Sequence, residues 1–231
     1  MVLRLPQALG AVVVCAGVAV IVVMGPWWGA SADQLAEIPV LGAIQSNNRG
    51  VVEMILIRWD QAASPDPVEL RWNTGQKNFL RGLREDVQFV NESVQAFNTA
   101  LQIAVERTPD SRHTGTISIL GFAYQATSSD GPSAGAAFTV GFIAAFKGEK
   151  IRRGLAMTGT IEPVGRIGPV GAIPDKIRAA AREGFRTVLI PRGQLYEPRW
   201  ELPALATALN VTLHEVTTVA EAYEQMTGGR L

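Results

Sequence analysis

The chain has 231 residues, which gives room for one globular domain of about 200 residues behind an apolar N-terminal run. Its 21 basic and 21 acidic side chains cancel, so no field of one sign favours nucleic acid as a partner. The single cysteine, Cys15, lies inside the apolar run, which excludes a disulfide framework, a cysteine nucleophile in the remaining domain and a thiolate metal site.

The N-terminal apolar segment is the first predicted element. Residues from about 8 to 28 carry no charge and end in Trp27-Trp28, so the segment is long enough to cross a bilayer as a helix. One early arginine gives a weak bias that places the following domain outside the cytoplasm. A cleaved signal is the alternative, because Ala30-Ser31-Ala32 resembles a signal-peptidase site, and the domain would then be secreted. We therefore predict a transmembrane anchor or signal over residues 1–32 and one domain over residues 33–231.

The remaining sequence predicts strands alternating with helices. Strands are expected at 38–44, 51–59, 116–124, 155–161, 187–190 and 211–214. Helices are expected up to about 107, at 133–146, 174–184 and 200–209, and from 218 onward. Gly165, Gly168 and Gly171 indicate a hairpin-like stretch before the helix at 174–184. The predicted fold class is α/β with a mixed sheet.

The first candidate functional segment is Ser129-Asp130-Gly131-Pro132-Ser133-Ala134-Gly135, at the start of the almost wholly apolar helix. A serine at a helix mouth lies where unpaired backbone amides converge and the helix dipole favours negative charge. Ser133 is therefore a candidate nucleophile beside amides that could stabilise an oxyanion. The alternative is that Gly131-Pro132 forms a turn and Ser133 merely begins the helix.

The second candidate is Lys176, 43 positions after Ser133. Lys176 lies on the same inward face of its helix as the apolar residues Ile173, Ile177, Ala180 and Ala181. The charged residues Asp175, Arg178 and Arg182 lie off that face. Burial lowers a lysine pKa, and a neutral amine can serve as the general base for a serine. The chain has 17 arginines and only four lysines, and an arginine could not give up its proton. The alternative is that Lys176 extends to the surface with its stem packed on the core.

Together the two segments resemble the proteolytic domain of the Lon family, serine peptidases with a Ser-Lys dyad. The strand Ala156-Met157-Thr158-Gly159-Thr160-Ile161 is similar to the family's Ala-Met-Thr-Gly-Glu-Ile, and the glycine-punctuated stretch from Gly165 to Gly171 also matches. The clear similarity runs from about Ser129 to Pro191. The resemblance implies a Lon-like fold that works without a cofactor or metal ion.

Residue by residue, the resemblance implies that Ser133 is the nucleophile and Lys176 the base. Thr158 and Asp130 are expected beside the dyad, and the Thr158 hydroxyl could orient the lysine amine. On β-propensity alone, Thr158 could equally be an ordinary strand threonine.

Three features depart from the family pattern. Thr160 stands where the family has a glutamate, and Ile117-Ser118-Ile119-Leu120-Gly121 replaces a histidine-rich strand. The chain also contains no Gly-x-x-x-x-Gly-Lys-Ser/Thr nucleotide-binding motif. The closest resemblance is to membrane-anchored, ATPase-free Lon-like proteins. It implies an ATP-independent serine endopeptidase that cleaves flexible or unfolded polypeptides near a membrane, and it implies a homo-oligomer.

Other function classes stay open at this point. A Ser-His-Asp triad would require His113 or His214 to reach the serine from an unpromising position, and two isolated histidines lack the spacing of metal ligands. Gly131, Ser133 and Gly135 could cradle a phosphate as in small-molecule kinases, but carboxylates for Mg²⁺ are not apparent. A noncatalytic binding or scaffold protein that retains the peptidase fold is the main alternative.

Overall fold

The computed structural model describes residues 34–44, 49–61, 66–72, 88–89, 91–120, 128–129 and 131–231. These residues form eleven strands and five helices. The strands are β1 (Gln34–Ile44), β2 (Arg49–Asp60), β3 (Glu69–Trp72), β4 (Gln88–Phe89), β5 (Thr116–Leu120), β6 (Ser128–Ser129), β7 (Leu155–Met157), β8 (Thr160–Glu162), β9 (Arg166–Gly168), β10 (Thr187–Pro191) and β11 (Thr212–Val216). The helices are α1 (Asn91–Arg107), α2 (Gly135–Lys147), α3 (Ile173–Arg182), α4 (Leu202–Leu209) and α5 (Val219–Thr227).

Seven strands form one mixed sheet in the order β11-β10-β7-β1-β2-β5-β3. Strands β7, β10 and β11 run parallel to β1, whereas β2 is antiparallel to its neighbours β1 and β5. Strands β8 and β9 pair with each other as an antiparallel hairpin. The predicted mixed α/β fold with a mixed sheet is confirmed, and so is the predicted hairpin between α2 and α3.

The large sheet separates two apolar cores. Leu189 in β10 belongs to the core that contains the α2 residues, whereas its neighbours Val188 and Ile190 belong to the core that contains Ile173 and Ile177 of α3. Because successive strand residues point to opposite faces, α2 and α3 pack on opposite sides of the sheet. Every residue of α2 from 135 to 146 is buried, which explains why this helix is apolar on all faces.

A close approach of backbones fixes α3 on its side of the sheet. A Cβ atom added to Gly50 in β2 would overlap the carbonyl group of Asp175, so only glycine fits there. Arg182 also donates a hydrogen bond to the Gly50 carbonyl at 3.0 Å. These contacts hold the two ends of α3 against the start of β2.

The structure differs from the sequence predictions of secondary structure at three places. The helix predicted to end near Arg107 begins only at Asn91, because Gln88 and Phe89 pair with Ser128 and Ser129 as β4 and β6. The strand predicted at 155–161 is two strands, interrupted at Thr158-Gly159. Strand β3 was not predicted, and it forms by pairing in parallel with β5.

Two other predictions fall at or beyond the limits of the described residues. The predicted strand at 116–124 is described as far as Leu120, and its remainder lies outside the described residues. The predicted membrane segment at 8–28 also lies outside them. Among the helices formed by the described residues, none has the length and apolar character needed to span a bilayer.

Trp59 gives a test of the core on the α2 side. Its side chain is 2 % exposed, its indole N–H donates to the Thr114 carbonyl at 3.0 Å, and its ring packs edge-on against Phe146. We expect Trp59→Phe to lower the free energy of unfolding by about 1–3 kcal/mol, since it removes both a buried hydrogen bond and ring volume. Chemical denaturation would measure the loss.

Trp200 is the matched control, because it is half-buried and stacks on the Arg199 guanidinium 4.6 Å from the ring. Trp200 packs only partly against the core on the α3 side, so Trp200→Phe should lower the free energy of unfolding by less than Trp59→Phe does, by about 1 kcal/mol or less. Equal losses for the two variants would contradict the assignment of Trp59 to the core.

Candidate active site

Ser133 lies in the turn immediately before α2, two residues ahead of the first helical residue. Gly131 precedes it with φ +100°, in the left-handed region that glycine adopts without strain. The serine is half-buried, and its carbonyl accepts two hydrogen bonds, from the Gly159 amide at 2.9 Å and from the Thr158 hydroxyl at 3.2 Å. The backbone of the candidate nucleophile is therefore fixed by the residues that follow β7.

The interruption at Thr158-Gly159 explains why one predicted strand is two. The Thr158 amide still donates to the Leu189 carbonyl of β10 at 3.1 Å, and the chain then leaves the large sheet. Gly159 exchanges hydrogen bonds with the start of α2 by donating to Ser133 and accepting from the Ala136 amide at 3.0 Å. A Cβ atom at Gly159 would lie 2.5 Å from Ile167 Cγ2, too close for any residue but glycine. This close packing requires the glycine of the Thr158-Gly159 pair.

The Lys176 side chain approaches Thr158 from the α3 side of the sheet. Its side chain is 3 % exposed, and Nζ donates to the Thr158 hydroxyl at 3.0 Å. Ile173 and Ile177 are fully buried on the same face of α3, while Arg178 is exposed. The predicted inward face of this helix is confirmed. The Thr158 hydroxyl accepts from the lysine and donates to the Ser133 carbonyl, so it links the two candidate residues.

Burial determines the electrostatics of Lys176. Desolvation lowers the pKa of its amine from 10.5 to about 8, because a charged ammonium is disfavoured away from water. The charged neighbours on α3 are engaged elsewhere: Asp175 accepts from Arg178 at 3.0 Å, and Arg182 donates to Gly50. The amine is therefore neutral in a substantial fraction of molecules near pH 8.

Two backbone amides at the N-terminal end of α2 already donate hydrogen bonds to carbonyl groups of the protein. The Gly135 amide donates to the Pro132 carbonyl and the Ala136 amide to the Gly159 carbonyl, both at 3.0 Å. No acidic side chain lies in the first turn of α2, and no side chain of the described residues caps it. Positive helix-dipole potential at this end is thus left for a negatively charged group.

The other residues singled out in the sequence are placed as follows. Asp130 lies outside the described residues. His113 bonds to the Thr108 hydroxyl at 2.7 Å and packs edge-on against Phe146, near the end of α2 farthest from Ser133. Phe146 lies eleven residues after Gly135, about 16 Å along the helix, so His113 is not placed to act on the serine. His214 is exposed on the edge strand β11.

Gln194 is a buried polar residue near the site that sequence reasoning missed. Gln194, in the loop after β10, is 8 % exposed and bonds to both backbone groups of Val170, in the segment that leads to α3. Only its tertiary environment distinguishes it from an ordinary loop glutamine, so the sequence carried no local signal for it.

Comparison with known proteins identifies the family of this chain. The Lon protease (S16) C-terminal proteolytic domain matches the chain over residues 71–226, which is more than half of its length. The chain belongs to this family. Among curated relatives, the Lon protease of Haemophilus influenzae is 38 % identical over 96 residues, covering 42 % of this chain and 12 % of that protein. The Lon protease of Escherichia coli is 36 % identical over 120 residues, covering 51 % of this chain and 15 % of that protein.

These relatives are much longer than the part they share with this Lon-family chain. Lon protease 2 of Syntrophobacter fumaroxidans is 35 % identical over 99 residues, and again only 12 % of its length is covered. The shared part therefore supports a serine peptidase, while the activity of the long relatives as whole proteins does not transfer with it.

The buried lysine predicts an unusual dependence of stability on pH. Between pH 8 and 10.5 the unfolded chain binds the Lys176 proton and the folded chain does not, so stability rises with pH across this window. Below pH 8 the charged amine costs about 3 kcal/mol. We expect Lys176→Met to raise the free energy of unfolding relative to the native chain most at pH 7, and the gain to shrink by pH 10.

Denaturation at pH 7 and pH 10 would measure this difference. Lys150→Met is the control, because Lys150 is exposed and its removal should give a change that is small and the same at both pH values. A Lys176→Met effect that does not vary with pH would contradict a depressed lysine pKa.

Proposed function

We propose that this chain is a serine endopeptidase with a Ser133-Lys176 dyad, and that it cleaves flexible or unfolded polypeptides without ATP. The observation that carries the proposal is the chain of contacts from the buried Lys176 amine through the Thr158 hydroxyl to the Ser133 backbone. The alternative base, His113, is engaged near the far end of α2. The family match supports the same reaction class.

In the proposed first step, neutral Lys176 takes the proton of the Ser133 hydroxyl as the serine oxygen attacks a peptide carbonyl. A pKa of about 8 leaves roughly a tenth of the amine neutral at pH 7, enough for a base that is poised near the working pH. Thr158 orients the amine by accepting one of its hydrogens, so the lone pair is free to point at the serine.

The tetrahedral intermediate carries its negative charge on the former carbonyl oxygen. Since Gly135 and Ala136 use their amides internally, we assign the oxyanion to the amides of Ser133 and Ala134, assisted by the α2 dipole. Lysine returns its proton to the leaving amine as the peptide C–N bond breaks. Water, activated by the same amine, then attacks the acyl-enzyme and releases Ser133.

The proposed substrate class follows from what these 231 residues contain. No Gly-x-x-x-x-Gly-Lys-Ser/Thr motif is present in them, so we propose that the chain acts on segments that are already unfolded. The uncharged stretch at 8–28 supports a single-pass anchor and substrates near a membrane, with the catalytic domain outside the cytoplasm. We also propose a homo-oligomer, as an expectation from the family.

The proposal is tested by cleavage of a quenched, unstructured polypeptide with the full chain in mild detergent, with and without ATP. Ser133→Ala and Lys176→Met should each lower kcat/KM by at least about 10³-fold, since members of a dyad act as a unit. The controls Ser118→Ala, on β5, and Lys150→Met should leave the rate unchanged. Retained cleavage in Ser133→Ala would refute the dyad, and a requirement for ATP would refute nucleotide independence.

A further inference from the structure

Gln194 makes a side-chain contact that resembles strand pairing. The Val170 amide donates to Oε1 at 3.0 Å, and Nε2 donates to the Val170 carbonyl at 2.9 Å. Both residues are 8 % exposed. A buried amide that satisfies both backbone groups of one residue fixes the position of that residue, because breaking either bond leaves a buried polar group unpaired.

The loop that carries Gln194 is itself anchored. One carboxylate oxygen of Glu215 accepts from the amides of Gly193 at 2.7 Å and Leu195 at 3.0 Å, on either side of Gln194. The Arg192 amide also donates to the Val216 carbonyl at 3.0 Å. Gln194 is therefore tied to the end of β11 and offers Val170 a fixed point of attachment.

Val170 lies three residues before Ile173, where the lysine helix begins. Two residues after Val170, Ala172 has the left-handed value φ 54°, and its carbonyl accepts the Lys176 amide at 3.1 Å. An alanine in this region is strained, so the surrounding structure must hold it there. Val170 also packs in the same apolar core as Ile173 and Ile177, the buried residues beside Lys176.

We infer that Gln194 is a positioning residue for Lys176: by holding the Val170 backbone, its amide sets the start of α3 and keeps the lysine amine against Thr158 and away from water. The lysine makes no ion pair with any described residue that would hold it instead. Burial is what shifts its pKa, and no charged side chain of β1, β2 or α4, which pack on α3, contributes to that shift. The catalytic consequence of this inference rests on the proposed function, but the placement of the amine does not.

The small number of lysines allows a direct test. The chain has four, so ¹³C-labelled lysine gives a simple NMR spectrum in which Lys176 is assigned by its loss in Lys176→Met. We expect the Lys176 titration midpoint to lie near pH 8 in the native chain. In Gln194→Met the midpoint should rise by at least about one unit, because water reaches the amine, which lowers the neutral fraction at pH 7 about tenfold.

Gln102→Met is the matched control, since Gln102 is exposed on α1 and its amide bonds only to Glu106 among the described residues. In Gln102→Met the Lys176 titration midpoint should equal that of the native chain. If Gln194→Met does not fold, Gln194→Asn replaces it; the shorter side chain keeps a neutral amide but falls one methylene short of the Val170 backbone, so a rise in the same direction is expected. An unchanged Lys176 midpoint in a folded Gln194 variant would overturn the inference.

Peptide cleavage gives a second readout that separates positioning from general damage. Gln194→Met should be about tenfold slower than the native chain at pH 7 and should approach the native rate near pH 10, where the amine is neutral in both. A loss that is uniform with pH would overturn the inference. If the native chain cleaves nothing, the proposed function fails, and the NMR titration still decides the role of Gln194.

Discussion

The end of β7 is the constraint on which the candidate site depends. Strand β7 is only three residues long, and after the Thr158 amide makes a last bond to β10 the chain leaves the sheet and bonds with Ser133. Ser133 arrives from the α2 side of the sheet and Lys176 from the α3 side, so neither helix alone could bring them together. The Thr158 hydroxyl bonds to both where the strand stops. Catalytic groups at the carboxyl ends of parallel strands are a general consequence of such topology.

Glycines at close contacts allow α2, α3 and the hairpin to pack around Thr158. Gly159 packs against Ile167 of the hairpin, and Gly135 packs against Ile161, in both cases with too little space for a side chain. Gly50 lets α3 approach β2. These contacts join the two helices and the hairpin to one small region, so the position of the lysine is set by packing on several sides. Precise placement of this kind is what the proposed role of Lys176 as general base requires.

The same packing carries a cost in stability. A lysine amine with its pKa lowered to about 8 is charged in most molecules at neutral pH and is held away from water. A penalty of about 3 kcal/mol is a considerable part of the stability of a typical domain. The large apolar core around α2 offsets it. Locally unfavourable groups of this kind are concentrated at functional sites.

The parts of the site that sequence could predict are those with a local signal. The serine before an apolar helix and the lysine among Ile173 and Ile177 were both visible, because helical periodicity determines which side chains face inward. The break after Met157 was not visible, since Thr158-Gly159 continues a good strand pattern and leaves the sheet only through contacts with α2. Gln194 and the unpredicted strand β3 also depend on distant partners, Val170 and β5. The family resemblance supplied the order of the motifs, but not these contacts.

The most direct test of the account is the rate at which a fluorophosphonate probe labels Ser133 in the full chain, measured from pH 6 to pH 10. The probe reports activation of the serine without requiring a known substrate. If Lys176 is the buried base, the rate should rise with pH through a midpoint near 8. A rate that does not change with pH, or a rate that is still rising steeply at pH 10 with no midpoint near 8, would contradict the account.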